Sequence, residues 1–186
     1  MKRLAVICLI IAAVACLGFG YGAWSQNFNS SGPVSTGSFD VVFSSFTAPA
    51  SINGAGFSVY QVDSHTCDIS LNDLYPNCNP QFNFTLQDPG TIPAKIIDIK
   101  INGTSIVSGV NLNPTDIALG SDSNNDIRVT VSGINASGPN SLITANNGTR
   151  SGSLTVNTWS LGSNGNDATA NAGGSFTFEI DTAQNP

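Results

Sequence analysis

The chain has 186 residues, of which 10% are charged, whereas Asn, Ser, Thr and Gly together supply 78. Beyond residue 23 it carries four basic residues, Lys95, Lys100, Arg128 and Arg150, against all twelve acidic ones. The resulting net charge of −8 argues against nucleic acid as a partner. A surface wetted by hydroxyls and amides points to an exported protein, and the 163 residues after position 23 are enough for one domain with its own core.

Met1, Lys2 and Arg3 precede twenty uncharged residues, Leu4 to Ala23, with the apolar core LAVICLIIAAVACL. A positive start followed by an apolar run is the pattern of an export signal, so residues 1–23 are expected to form a signal helix removed on export. The cut falls after Ala23, with Gly20 and Gly22 as alternatives, and membrane contact is then confined to export. Two other readings stand beside this one: an uncleaved anchor, since the run is just long enough to span a bilayer, and a type IV pilin leader. Arg3, where a small residue would precede the cut, and the lack of a Glu at the start of the apolar run argue against the pilin.

Residues 24–35 follow as a separate segment. In Trp24-Ser25-Gln26-Asn27-Phe28-Asn29-Ser30-Ser31, Trp24, Gln26 and Phe28 would share one face of an extended strand and Ser25, Asn27, Asn29 and Ser31 the other. Such a strand needs a sheet to join, and a neighbouring molecule can supply it.

From residue 36 to 186 apolar and polar residues alternate between turn clusters, which predicts an all-β domain. Phe39 to Thr47 sets Phe39, Val41 and Phe43 on one face; Phe57 to Val62 follows the breaker INGAG; a short strand at Cys67 to Leu71 ends in NDLYPNCNP. QFNFTLQD aligns Phe82, Phe84 and Leu86, and AKIIDIKIN places Ile97, Ile99 and Ile101 inward. Residues 103–125 read as an excursion with room for a helical turn at PTDIAL. Strands resume at DIRVTVSGI (Ile127, Val129, Val131), at SLTVNTWSL (Leu154 and Val156 opposite Trp159 and Leu161) and, after a Gly/Asn-rich loop, at SFTFEID (Phe176, Phe178, Ile180). About eight such strands make an antiparallel two-sheet sandwich of jelly-roll type the expected architecture.

Cys8 and Cys16 lie in the signal. Cys67 and Cys78, the remaining thiols, are eleven positions apart in an exported chain, and the simplest expectation is one disulfide between them. That spacing is too short for an immunoglobulin-type bridge between sheets.

Three stretches resemble the TasA/camelysin family of biofilm matrix fibre subunits, and within it the archaeal bundling pilus subunits. They are GYGAWSQNF at the end of the signal, TGSFDVVF (Thr36 to Phe43), and NDLYPNCNPQFNFTLQDPGTIPAKIIDI (Asn72 to Ile99). The resemblance implies an exported jelly-roll subunit of an extracellular filament that serves adhesion or cohesion between cells. Trp24 to Ser31 of one copy would complete the sheet of the next. Its partners would be identical subunits head to tail, with neighbouring filaments in bundles as a further contact. The Cys67/Cys78 pair and the Asn-rich loops depart from the family pattern.

Camelysin relatives are classed as metallopeptidases, but this chain has no HExxH, a single histidine (His65) and a single glutamate (Glu179), so neither a metal site nor an enzyme is expected. No cofactor is implied. Asp122, Asn124 and Asp126 imitate the start of a calcium loop, yet Ile127 stands where Gly is needed and no glutamate completes it. Asn29, Asn83, Asn102, Asn135 and Asn147 each begin an Asn-x-Ser/Thr triplet. The loop positions Asn135 and Asn147 are the better glycan acceptors, while Asn83, inside a strand pattern, has to face solvent. A monomeric surface-layer or carbohydrate-binding sandwich is the other function class that this pattern permits.

Overall fold

The computed structural model describes residues 37–119, 127–158 and 172–185. The signal (1–23), the donor segment (24–35, including Trp24 to Ser31 and the Asn29 triplet), the calcium-like triplet and the Trp159/Leu161 pair lie outside the described residues. The chain forms β1 (Val42–Thr47), β2 (Gly56–Gln61), β3 (Thr66–Leu74), β4 (Gln81–Asp88), β5 (Ala94–Ile101), β6 (Thr104–Ser105), β7 (Val107–Ser108), β8 (Asn111–Leu112), β9 (Thr115–Ile117), β10 (Ile127–Ser132), β11 (Leu142–Ile143), β12 (Gly148–Thr158) and β13 (Ala172–Gln184). One antiparallel sheet runs β1-β4-β12-β10-β9. A second runs β11-β5-β13-β3-β2, with β6 alongside β5, and β7 pairs β8.

Period-2 alternation leaves each sheet with one apolar face, and the two faces bury each other. Phe84 of β4 lies 5.2 Å from Phe178 of β13 between ring centroids, and Phe43 of β1 lies 5.9 Å from the same ring. At the other end of the sandwich Phe57 of β2 meets Phe82 of β4 edge to face at 6.2 Å. The expected core residues Phe43, Phe82, Phe84, Ile99, Val129, Val131, Phe176 and Phe178 are all buried.

Ile97 is not: it is 50% exposed, and Ile96 takes the inward place. The pairing between β13 and β5 steps from Asp181↔Asp98 to Thr182↔Ile96, so Ile97 has no counterpart. One extra residue forms a β-bulge, and a bulge moves a side chain to the other face. The segment PTDIAL, which left room for a helical turn, holds a short strand instead, since Thr115–Ile117 pairs with β10 as β9.

Nor are Cys67 and Cys78 bridged. Both are free and buried. Cys67 lies near the start of β3, which continues without a break to Leu74, so strand rise alone carries the chain about 23 Å away from it before the turn that holds Cys78. A disulfide needs Cα atoms within about 7 Å. Their closeness in sequence is undone by nine residues of strand.

Candidate assembly groove and N-terminal clasp

Two of the sequence stretches singled out above meet in space. The carbonyl of Ser38 accepts hydrogen bonds from the backbone N–H groups of Thr91 (2.7 Å) and Ile92 (3.0 Å), and Ser38 N–H donates to Thr91 Oγ1 at 3.1 Å. Buried Asp88, at the end of β4, accepts at Oδ1 from the N–H of Gly90 (2.8 Å) and of Asp40 (3.5 Å). Its Oδ2 has no hydrogen-bond partner among the described residues. The approach is close enough to require glycine. A Cβ on Gly90 would stand 2.3 Å from Ser38 O and 2.6 Å from Phe39 Cα, and one on Gly37 would stand 2.5 Å from Ile92 Cγ1. The start of the described chain, residues 37–40, is therefore clasped to the β4–β5 loop.

Beside this clasp lies a groove of about 530 Å³, lined by Phe39, Asp40, Asp63, His65, Thr66, Ile97 and residues 179–182. Its origin is a difference in strand length. β3 pairs with β13 as far as Thr66↔Glu179, with one further bond from Ile180 N–H to His65 O (3.1 Å), whereas β13 runs on to Gln184 against β5 alone. The stretch from Asp181 to Gln184 thus has a sheet partner on one side only among the described residues. Phe39, 38% exposed, and the bulged Ile97 place two large apolar side chains at this open edge. Lys100, next to the groove, bonds Asp181 Oδ2 at 2.7 Å and Glu179 Oε1 at 3.1 Å. Those two bonds, Asp181 first, hold its ammonium pKa up at about 12.

Asp63, Ser64 and His65 form the turn between β2 and β3. Ser64 Oγ lies 2.8 Å from His65 Nδ1, but Asp63 Oδ1 accepts the backbone N–H of His65 at 2.8 Å, a bond that lowers the Asp63 pKa. Among the described residues no carboxylate bonds the second imidazole nitrogen, so the trio lacks the orienting acid of a catalytic relay. Burial pushes the Cys67 thiol up to about 12, with Asp63 and Asp68 adding repulsion, and burial also raises that of Cys78. Both are held as unreactive thiols.

The Asn-x-Ser/Thr triplets separate by geometry. Asn83 is exposed on β4 with Thr85 two residues along the same face, and Asn147 is exposed with its Oδ1 accepting from Gln87 at 3.4 Å; each keeps its side-chain nitrogen outward. Asn102 accepts Thr177 N–H through Oδ1 at 2.9 Å. Asn135, expected among the better acceptors, instead spends its side-chain nitrogen on the carbonyl of Val110. Sequence alternation grouped Phe39 and Ile97 with buried neighbours and gave no sign of the open β13 edge. Gly37 and Gly90 were the visible signal, since a glycine in each of two turns permits a close approach of backbones.

Comparison with protein-family models, with curated proteins and with solved structures found no match.

Proposed function

We propose that the protein is the structural subunit of an extracellular filament, assembled when Trp24 to Ser31 of one copy enters the groove of the next. The observation that carries this reading is the open strand edge, Asp181 to Gln184, flanked by Phe39 and Ile97 and lying beside the clasped residues 37–40. A strand added there gains backbone hydrogen bonds from β13, and its alternate side chains, Trp24 and Phe28, find apolar surface. Head-to-tail joining of this kind is heterologous and gives an open filament. The residues before Trp24 serve as the export signal on this reading. On this reading the sandwich is of jelly-roll type, supported by repeated changes of sheet at β1→β2, β3→β4 and β4→β5, while β1 lies beside β4 and not beside the last strand.

Deleting Trp24 to Ser31 tests the proposal. The exported protein should then be monomeric or aggregate through its uncovered edge, and a synthetic WSQNFNSS peptide should raise its melting temperature. Phe28→Asp should weaken assembly more than a change at Asn27. Ordinary filaments of the deletion variant by electron microscopy would overturn the mechanism. N-terminal sequencing of filaments separates it from the pilin reading, which requires a start at Leu4.

A further inference from the structure

A second concavity, of about 510 Å³, lies at the end of β3 remote from the groove and is lined by Asn53, Gly54, Asp73 and Tyr75. Its walls come from two local departures from regular strand. Asn53 and Gly54 form the tight turn closed by Ile52 and Ala55, with Asn53 at φ 45°. Asp73 has φ 53° inside β3, where Asn72 and Asp73 together oppose Gly173 in the pairing with β13. That bulge re-aims one residue of an otherwise alternating strand.

Tyr75 is fixed from behind. Its carbonyl accepts from Thr158 Oγ1 at 2.9 Å and from the backbone N–H of Cys78 at 3.2 Å. Cys78, which makes no disulfide, thus helps to fix the backbone that carries this aromatic side chain. Asp73 has no hydrogen-bond partner among the described residues, and its carboxylate remains open to a ligand.

We infer that this concavity binds a neutral saccharide. A carboxylate accepts from two adjacent hydroxyls, an amide both donates and accepts, and an aromatic ring covers the apolar C–H face of a sugar; the cavity provides one of each, and its size suits one or two sugar rings. No cationic side chain lines it, so an acidic sugar or a phosphate is disfavoured. A metal is disfavoured as well, since among the described residues no group of three or more His, Cys, Asp or Glu could hold one. Holding the backbone of Tyr75 and the turn that carries Asn53 in advance lowers the ordering cost of binding. Repeated once per copy in a filament, even a weak site would hold a polymer through many contacts.

Saturation-transfer NMR on the full exported chain, with the methyl glycosides of glucose, galactose, mannose, N-acetylglucosamine and glucuronic acid as probes, tests the inference. At least one neutral glycoside should bind and the glucuronide should not. Asp73→Asn should weaken binding about tenfold or more. Asn tolerates the same left-handed backbone, so the melting temperature should stay unchanged. Tyr75→Ala should abolish the signal. Absence of transfer to every neutral glycoside, or equal affinity in Asp73→Asn, overturns the site. Neither result touches the filament proposal, which rests on the opposite end of the sandwich.

Discussion

The two sheets share a core but differ in what they present to solvent. The β1-β4-β12-β10-β9 sheet keeps a regular register through β4, β12 and β10, with one shift at Phe43/Ser45 in β1, and its outer face carries hydroxyls and amides. Thr85 meets Ser151 there at 3.3 Å and Ser132 meets Ser153 at 2.9 Å, with Arg128 and Asp116 forming an ion pair at the β9 edge. The other sheet carries the Lys100, Glu179 and Asp181 cluster and two register shifts in β13. Each shift coincides with a concavity: Ile97 borders the groove, and Asp73 borders the second cavity. At these two places an extra residue, in β5 and in β3, moves a side chain to a face that borders a concavity.

The largest effect should follow from removing what the sheets share. Phe84 stacks within 5.2 to 5.9 Å of Phe178, Phe46 and Phe43. Phe84→Ala should cost about 3–5 kcal/mol in urea denaturation. A near-neutral result would mean that the two faces do not depend on this cluster.

Next comes the clasp. In Gly90→Ala the new methyl group meets backbone, Ser38 O and Phe39 Cα, which cannot swing aside. A loss of about 1–3 kcal/mol and poorer filament formation are expected. Gly37→Ala should be milder, because Ile92 and Thr91 side chains can yield. Filament yield unaffected by Gly90→Ala would show that the exit geometry is unimportant.

Smaller still should be Ile97→Ser, within about 0.5 kcal/mol for folding but damaging to assembly. Ile99→Ala, two residues along and buried, should cost about 2–5 kcal/mol. Equal destabilisation by the two would place Ile97 in the core and remove the bulge as the source of the groove.

The smallest effect concerns pH. Lys100 has its folded pKa raised from an ordinary 10.5 to about 12 by Asp181 and Glu179. A raised lysine pKa contributes stability that is fully present below about 10.5 and is lost as pH rises through about 12. Solvent screening keeps the contribution modest. Wild-type stability should fall more steeply than that of Lys100→Met across this window, and parallel curves would show that the cluster adds nothing to the fold.

The sequence by itself determined the strands whose two faces differ in polarity. QFNFTLQD coincides with β4, and Ile127, Val129, Val131, Phe176, Phe178 and Ile180 are buried as their alternation requires. Solvent contrast across a period of two is a local property, so it can be read residue by residue. Tertiary structure alone decided the rest. Whether Ile96 or Ile97 turns inward depends on how β13 registers against β5, and alternation in β5 cannot reveal an extra residue relative to its partner. Spacing suggested that Cys67 and Cys78 would meet, but β3 extends beyond the short strand legible at Cys67 to Leu71 and separates them. The groove and the clasp join residues near position 40 to residues near 90, 97 and 180, brought together by sheet pairing between segments far apart in the chain.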